Sequence, residues 1–134
     1  ASGHGDFTAD ELRLRLEHFE KEDGLIDAAG DALTAGDVGS FGDCVDRSQT
    51  WTDRLLGNQV PETIHLARSA RTCGAAAASA FGAGFGGSVW ALVAAADSDQ
   101  FRRDWSAASP ASSSSAGSRQ FFGSGAGPAA IRVA

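Results

Sequence analysis

The feature that most restricts the fold of this chain is a cluster of glycines in the stretch "AFGAGFGGSVWAL", residues 80–92. Four glycines fall within six residues, at Gly82, Gly84, Gly86 and Gly87, and an apolar run follows them. Because glycine adopts left-handed backbone conformations without steric cost, the cluster predicts a tight loop whose N–H groups can form an anion-binding nest. A plain connection between two strands would use the same residues, and the glycines alone do not separate these two interpretations.

Two common phosphate-binding motifs do not fit this loop. Gly82, Gly84 and Gly87 spell G-x-G-x-x-G, and Asp104 lies near the distance expected for the acidic residue of a dinucleotide site. That acid, however, lies within "FRRDW", which has a helical pattern, whereas a dinucleotide site requires it at the end of a strand. A Walker A loop requires a lysine after the last glycine, and here Ser88 follows directly.

Composition excludes several classes of partner. The 134 residues have the length of one domain, with a net charge of −6 and a single lysine. Nucleic acids and anionic membranes are bound by clustered Lys and Arg, so neither is an expected partner. No apolar segment approaches the roughly 20 residues of a membrane span, and "ASGHGDF" does not resemble a signal peptide. The two cysteines and three histidines show no metal-type spacing, which predicts no metal site and fits a cytoplasmic protein.

Apolar residues at steps of three and four predict a helix-rich first half. Over residues 8–35 they form one helical stripe that comprises Leu12, Leu16, Phe19, Ile26, Ala29 and Leu33. Asp23 and Gly24 interrupt the stripe, which predicts either two helices in series or a kink, because glycine costs about 1 kcal/mol relative to alanine in a helix. The same spacing predicts a second helix over residues 40–56, and a proline at the start with a glycine beyond the end indicates a third over residues 61–73.

Beyond the glycine cluster, β-branched and aromatic residues predict a strand over residues 89–93. Asp97 with Gln100 resembles a capping box, which predicts a fourth helix containing Phe101 and Trp105. The low-complexity stretch "SPASSSSAGS" predicts a surface loop, and "QFF" and "AAIRVA" are short strand candidates after it. The expected aromatic core residues are Trp51, Trp90 and Trp105.

The stretch "GAGFGGSVWALV", residues 82–93, resembles the third signature motif of the GHMP superfamily of small-molecule kinases, in its galactokinase form. Other stretches resemble the galactokinase C-terminal domain in the same order and spacing. They are "RLEHFEKE", with His18 and Glu22, then "ALTAGD", "FGDCVDRSQ" and the final "GPAAIRV". The resemblance covers nearly the whole chain from Phe7 onward.

This resemblance implies an α+β fold with a mainly antiparallel sheet of about four strands backed by helices, in a ferredoxin-like arrangement. The whole of residues 1–134 is then expected to be one C-terminal kinase domain. In the family, the third motif lines the cleft between two domains and shapes the phosphate and substrate site. The residues that inherit this role are Gly82, Ala83, Gly84, Phe85, Gly86 and Gly87. Phe85 either packs onto the domain beneath the loop or borders the cleft.

The resemblance also implies an enzyme that transfers the γ-phosphoryl group of ATP to a sugar hydroxyl. Family members carry the nucleotide loop, the sugar-binding motif and the catalytic Asp in an N-terminal domain, and none of these motifs occurs in this sequence. We therefore expect no catalytic or metal-binding residue in this chain, and no activity without that domain. ATP, Mg²⁺ and the sugar are expected only in the full enzyme. The alternative function is a stand-alone binding or assembly module without catalysis.

Some residues depart from the family pattern. Ser79 and Phe81 stand where members often carry a basic residue and a threonine, so a direct charge contact with phosphate is not expected from this side. Ser48 and Gln49 stand where galactokinases commonly show Ser-His, which leaves the sugar open. Three acidic residues near the start of the second helix are interpreted as favourable to the helix dipole rather than as Mg²⁺ ligands. They are Asp37, Asp43 and Asp46.

Overall fold

The structure, a computed structural model, describes residues 7–82, 84–109 and 119–125. Its first half is helical, as the spacing predicts, and a short sheet follows. The elements are α1 (Ala9–Ala35), α2 (Val38–Trp51), a π-helix (Thr52–Leu56), α3 (Pro61–Thr72), β1 (Ala77–Ala80), β2 (Val89–Leu92), a 3-10 turn (Ala95–Asp97) and α4 (Ser98–Ala108). Among these described residues, no helix is both long and apolar enough to cross a membrane.

The sheet consists of β1 and β2, which pair antiparallel with Ala77 opposite Leu92 and Ala80 opposite Val89. Helices α2 and α3 pack against β1, and α1 packs on α2 as an outer layer. This arrangement confirms a mixed α+β fold with helices behind an antiparallel sheet.

The expectation of about four strands is not met, because the described residues form only two. The candidate strand "QFF" has no strand conformation. Instead, the Phe121 ring packs edge-on against Trp105, with ring centroids 5.0 Å apart, and Arg119 donates to the Ser109 carbonyl at 2.9 Å. Side-chain packing thus takes the place of strand pairing in this segment. The candidate strand "AAIRVA", the end of the "GSGAGP" turn and most of the predicted low-complexity loop lie outside the described residues.

Helix α1 is one continuous element of 27 residues, so the predicted division into two helices is wrong. A Cβ atom added at Gly24 would meet no atom within 4 Å, and the glycine is therefore tolerated without a packing requirement. The helix begins with a capping box in which Thr8 and Glu11 exchange hydrogen bonds. The Thr8 backbone N–H, and then its hydroxyl, lower the pKa of the Glu11 carboxyl.

The start of α2 is capped by Asp37, whose carboxylate accepts the Ser40 N–H at 2.9 Å. This bond, and then the Ser40 hydroxyl, lower the pKa of Asp37. At α4 the predicted capping box is wrong, because Asp97 has helical backbone angles as the last residue of the 3-10 turn and makes no side-chain cap. Gln100 donates to Asp104 at 2.8 Å instead.

The core is built largely from small residues. It comprises Ala67, Ala70, Ala75, Ala78, Phe101 and Trp105. The predicted core position of Trp105 is confirmed, whereas Trp51 and Trp90 are half-buried. The Trp105 indole N–H donates to the Leu66 carbonyl and the Ser69 hydroxyl, each at 3.1 Å, so its polar atom is satisfied inside the core.

Helix α2 crosses the start of β1 at very short range. Gly42 is buried there, and an added Cβ would collide with the carbonyl oxygen of Ala76. The Arg71 guanidinium, from α3, donates to the Ala75 carbonyl at 2.6 Å and pairs with Asp46 of α2 at 3.0 Å. Gly42 and Arg71 therefore fix where α2, α3 and β1 meet, which sets the position of the loop after β1.

Candidate functional site

The glycine loop connects β1 to β2, and its backbone is left-handed at all four glycines. The φ angles are 75° at Gly82, 82° at Gly84, 105° at Gly86 and 100° at Gly87. Phe85 is also left-handed, with φ of 55°. These angles agree with the conformational reason for which the sequence singles out the cluster. Ala83, the remaining residue of the predicted site, lies outside the described residues.

Two backbone hydrogen bonds define the shape of the loop. Phe81 donates to the Ser88 carbonyl at 2.9 Å and closes the base of the loop, and the Phe85 N–H donates to the carbonyl of Asn58. Within the part of the chain that the structure describes, the N–H groups of Gly84, Gly86 and Gly87 donate no backbone hydrogen bond. Successive left-handed residues with such donors have the character of an anion-binding nest. The loop can therefore offer backbone donors to a phosphate group.

Asn58 is the main support beneath the loop. A Cβ added at Gly84 would collide with the Asn58 carbonyl oxygen and would come within 2.8 Å of its side chain. Gly84 is therefore required twice, by its positive φ and by this close approach. Gly57, in the left-handed conformation with φ of 61°, ends the π-helix immediately before Asn58. The end of the π-helix thus places the residue that holds the loop.

Phe85 lies on the open side of the loop. Its side chain is 76% exposed, so it does not pack onto the domain beneath, which was one of the two alternatives left by the sequence. Phe81, at the base of the loop, is 68% exposed. Two aromatic rings therefore border the loop without being buried by the described residues.

Gln49 fixes the strand end from which the loop departs. Its side-chain oxygen accepts the Ser79 hydroxyl at 2.8 Å and the Ala80 N–H at 2.9 Å, and its amide nitrogen donates to Gln59 at 3.3 Å. Gln59 in turn accepts the Thr63 hydroxyl at 3.1 Å. This network joins α2, β1 and the start of α3 on the side of the loop.

The sequence pointed to Gln49 as a departure from the family but not as a support, and it missed Asn58. The stretch "GNQ" signalled only the end of a helix. Nothing in the spacing of Gln49 or Asn58 indicates contact with residues 22 or more positions away, because that contact depends on how α2 packs on β1. A polar residue off the apolar stripe of α2 was the only available signal.

We expect Gln49→Ala to loosen the end of β1, because it removes both hydrogen bonds to that strand and leaves the Ala80 N–H without its acceptor. The expected loss in the free energy of unfolding is about 1–3 kcal/mol, measured by urea titration. Hydrogen exchange of the Ala80 amide should also become faster.

The matched control for this change is Gln100→Ala, which removes only an exposed bond on α4. It should change the free energy of unfolding by less than about 0.5 kcal/mol. Equal stability and equal Ala80 exchange in the Gln49 and Gln100 variants would refute the supporting role of Gln49.

The described residues contain no group of three or more His, Cys, Asp or Glu side chains that could hold a metal ion. Asp37 serves as a helix cap and Asp46 pairs with Arg71, in agreement with their interpretation as structural residues. Cys44 and Cys73 are not joined in a disulfide. Asp104 lies within α4, and β1 and β2 are antiparallel, so the dinucleotide motif has neither its strand nor its acid in place. Metal ligands for phosphoryl transfer are thus not among the described side chains, whereas backbone donors for phosphate are.

Comparisons with known proteins agree on one family. Residues 30–111, which include the glycine loop, match the family described as GHMP kinases C terminal. The structure is similar to the crystal structure of galactokinase from Lactococcus lactis in complex with galactose, with a TM-score of 0.69 and 29% sequence identity. That similarity covers 78% of this chain and 26% of the galactokinase, so the chain spans about a quarter of the length of that enzyme. No curated protein matches the chain.

Proposed function

Because the chain belongs to the GHMP kinase C-terminal domain family, we propose that it is the C-terminal domain of a galactokinase-like, ATP-dependent sugar kinase. Its activity then requires an N-terminal domain of the same enzyme. The observation that carries this proposal is the run of left-handed glycines at residues 82–87, which lies within the region that matches the family. The likeness to a galactokinase at 29% identity supports a sugar as the class of substrate.

The contribution of this chain is a positioned backbone. In the complete kinase, ATP bound with Mg²⁺ supplies the phosphoryl group. The loop would hold phosphate oxygens through the N–H groups of Gly84, Gly86 and Gly87, which no side chain of their own obstructs. Phosphoryl transfer depends mainly on positioning and on stabilisation of negative charge, and prearranged donors provide both.

The loop keeps its shape through Asn58 and Gln49. Asn58 accepts the Phe85 N–H, and Gln49 holds the end of β1 through Ala80. The ligands for Mg²⁺ and the group that orients the sugar hydroxyl are proposed to come from the N-terminal domain, because the described residues contain no metal-binding cluster. Use of ATP and two unpaired cysteines fit a cytoplasmic enzyme.

The direct test compares the chain with the complete kinase. Each is incubated with Mg-ATP and a panel of aldoses that includes galactose, and sugar phosphate is measured. We expect no product from the chain alone, and turnover on the order of 1–100 s⁻¹ from the complete kinase with at least one aldose. Turnover by the chain alone would show that the catalytic residues lie within it. A complete protein that phosphorylates no aldose would overturn the kinase proposal and favour a binding or assembly module.

A further inference from the structure

Helix α1 packs against the domain with the less apolar of its two faces. The residues that are buried or half-buried along it are Arg15, His18, Glu22, Leu25, Ala29 and Ala32. A second set, which we call the α1 stripe, remains exposed, with exposed fractions between 47% and 70%. It comprises Leu12, Leu16, Phe19, Ile26 and Leu33. The strongest apolar periodicity in the sequence is therefore not used by the packing of this domain.

The α1 stripe is continuous and long. Its members follow one another at steps of three, four and seven residues, which keeps them on one side of the helix. From Leu12 to Leu33 the stripe extends over about 30 Å at 1.5 Å per residue. Extended apolar patches on a protein surface mark sites where another surface is bound.

We propose that the α1 stripe is the docking surface for the N-terminal domain of the same kinase, and that this domain presents apolar side chains flanked by Lys or Arg. This inference rests on the proposed function. The similar galactokinase is about four times as long as its matched part, so most of such an enzyme lies outside the region that this chain represents. The N-terminal domain is therefore the largest available surface to cover the stripe.

Charge favours that occupant over a second copy of this chain. Helix α1 carries eight acidic and three basic residues. Asp23 lies on the stripe, and Glu20 and Asp27 lie beside it by helical position. Two copies packed through their stripes would bring these carboxylates together, whereas a basic rim on a different domain would complement them.

The position of the stripe also fits a two-domain site. His18 contacts Thr52 at the start of the π-helix, with 3.4 Å between its Nε2 and the Thr52 Oγ1, and Lys21 lies over the Trp51 ring. The π-helix ends next to Asn58, which holds the glycine loop. A domain seated on the first half of the stripe therefore approaches the end of this domain that carries the loop.

The test is cysteine accessibility in the chain and in the complete kinase. Phe19→Cys and Ile26→Cys place thiols on the stripe, and Ala28→Cys places one on a different exposed side of α1 as the matched control. Each variant is labelled with a maleimide, and mass spectrometry locates the label. We expect the two stripe thiols to react about tenfold or more slowly in the complete kinase than in the chain alone, and the control thiol to react equally in both.

Three outcomes separate the possibilities. Equal labelling of the stripe thiols in chain and complete kinase overturns the proposal, even if the complete kinase phosphorylates a sugar. Protection in the complete protein without turnover with any aldose supports the docking surface and counts against the proposed function alone. A dimer of the chain in sedimentation velocity, with the stripe thiols already protected, would assign the stripe to a second copy and overturn the proposal.

Discussion

Replacing Gly84 by valine is expected to lower the kcat of the complete kinase by about 100-fold. A valine at this position would have to adopt a φ of 82° and would collide with the Asn58 carbonyl. The loop would then move away from Asn58, and the backbone donors would no longer be aligned with the phosphate. Steady-state kinetics with Mg-ATP and the accepted sugar measure the effect.

The matched control is Gly123→Val, because a Cβ at Gly123 meets no atom within 4 Å and its φ is not in the left-handed region. This variant should keep the kcat of the unsubstituted enzyme. Gly87→Ala tests strain alone, since Gly87 has a φ of 100° but open space around it, and its loss should be intermediate. Unchanged turnover in the Gly84 variant would mean that the loop has no part in positioning phosphate.

Gly42→Ala is expected to destabilise the chain by about 3 kcal/mol, a large fraction of the stability of a small domain. The new methyl group would collide with the Ala76 carbonyl where α2 crosses β1, and neither backbone can yield without moving its whole element. Urea unfolding followed by circular dichroism gives the free energy of unfolding.

Gly30→Ala provides the opposite result in the same experiment. Gly30 is also within a helix, but its added Cβ meets no atom within 4 Å. The substitution should therefore stabilise the chain by up to about 1 kcal/mol through helix propensity. If both alanine variants were equally stable, the close approach of α2 to β1 would be wrong.

Local sequence signals predicted the helices and β2 because their causes are local. Pro61 begins α3 as expected, and Gly74, with φ of 101°, follows its end. The residues that form β2 were predicted from their side chains. The buried face of α1 could not be predicted in this way, because its most regular apolar stripe is the exposed one. Periodicity identifies a helix, but the partner of each face depends on the rest of the fold.

Strand β1 shows the opposite limit. Its sequence, "AASA", has little intrinsic preference for a strand, and the sequence analysis did not assign its bounds. Ala77 and Ala78 are almost fully buried, between 0% and 1% exposed, because α2 and α3 pack closely on this strand. Only small side chains allow that approach, so tertiary packing decides the conformation here.

At the candidate site, the glycines could be predicted and their supports could not. The need for positive φ is a property of each residue, and the four glycines display it. Gln49 and Asn58 act through partners elsewhere in the chain, Ala80 and Phe85. Their roles follow from the packing of α2 on β1 and from the end of the π-helix, neither of which has a local signature.

The π-helix at residues 52–56 couples the length of the chain to the position of the loop. A π-helix contains an extra residue in its turn, so deletion of one residue there could be absorbed by a return to ordinary α-helix. The deletion would rotate everything that follows by about 100° around the helix axis. Asn58 would leave the Phe85 N–H, although the helix itself would remain intact. During evolution this segment should therefore tolerate substitutions far more readily than insertions or deletions, wherever the loop keeps its function.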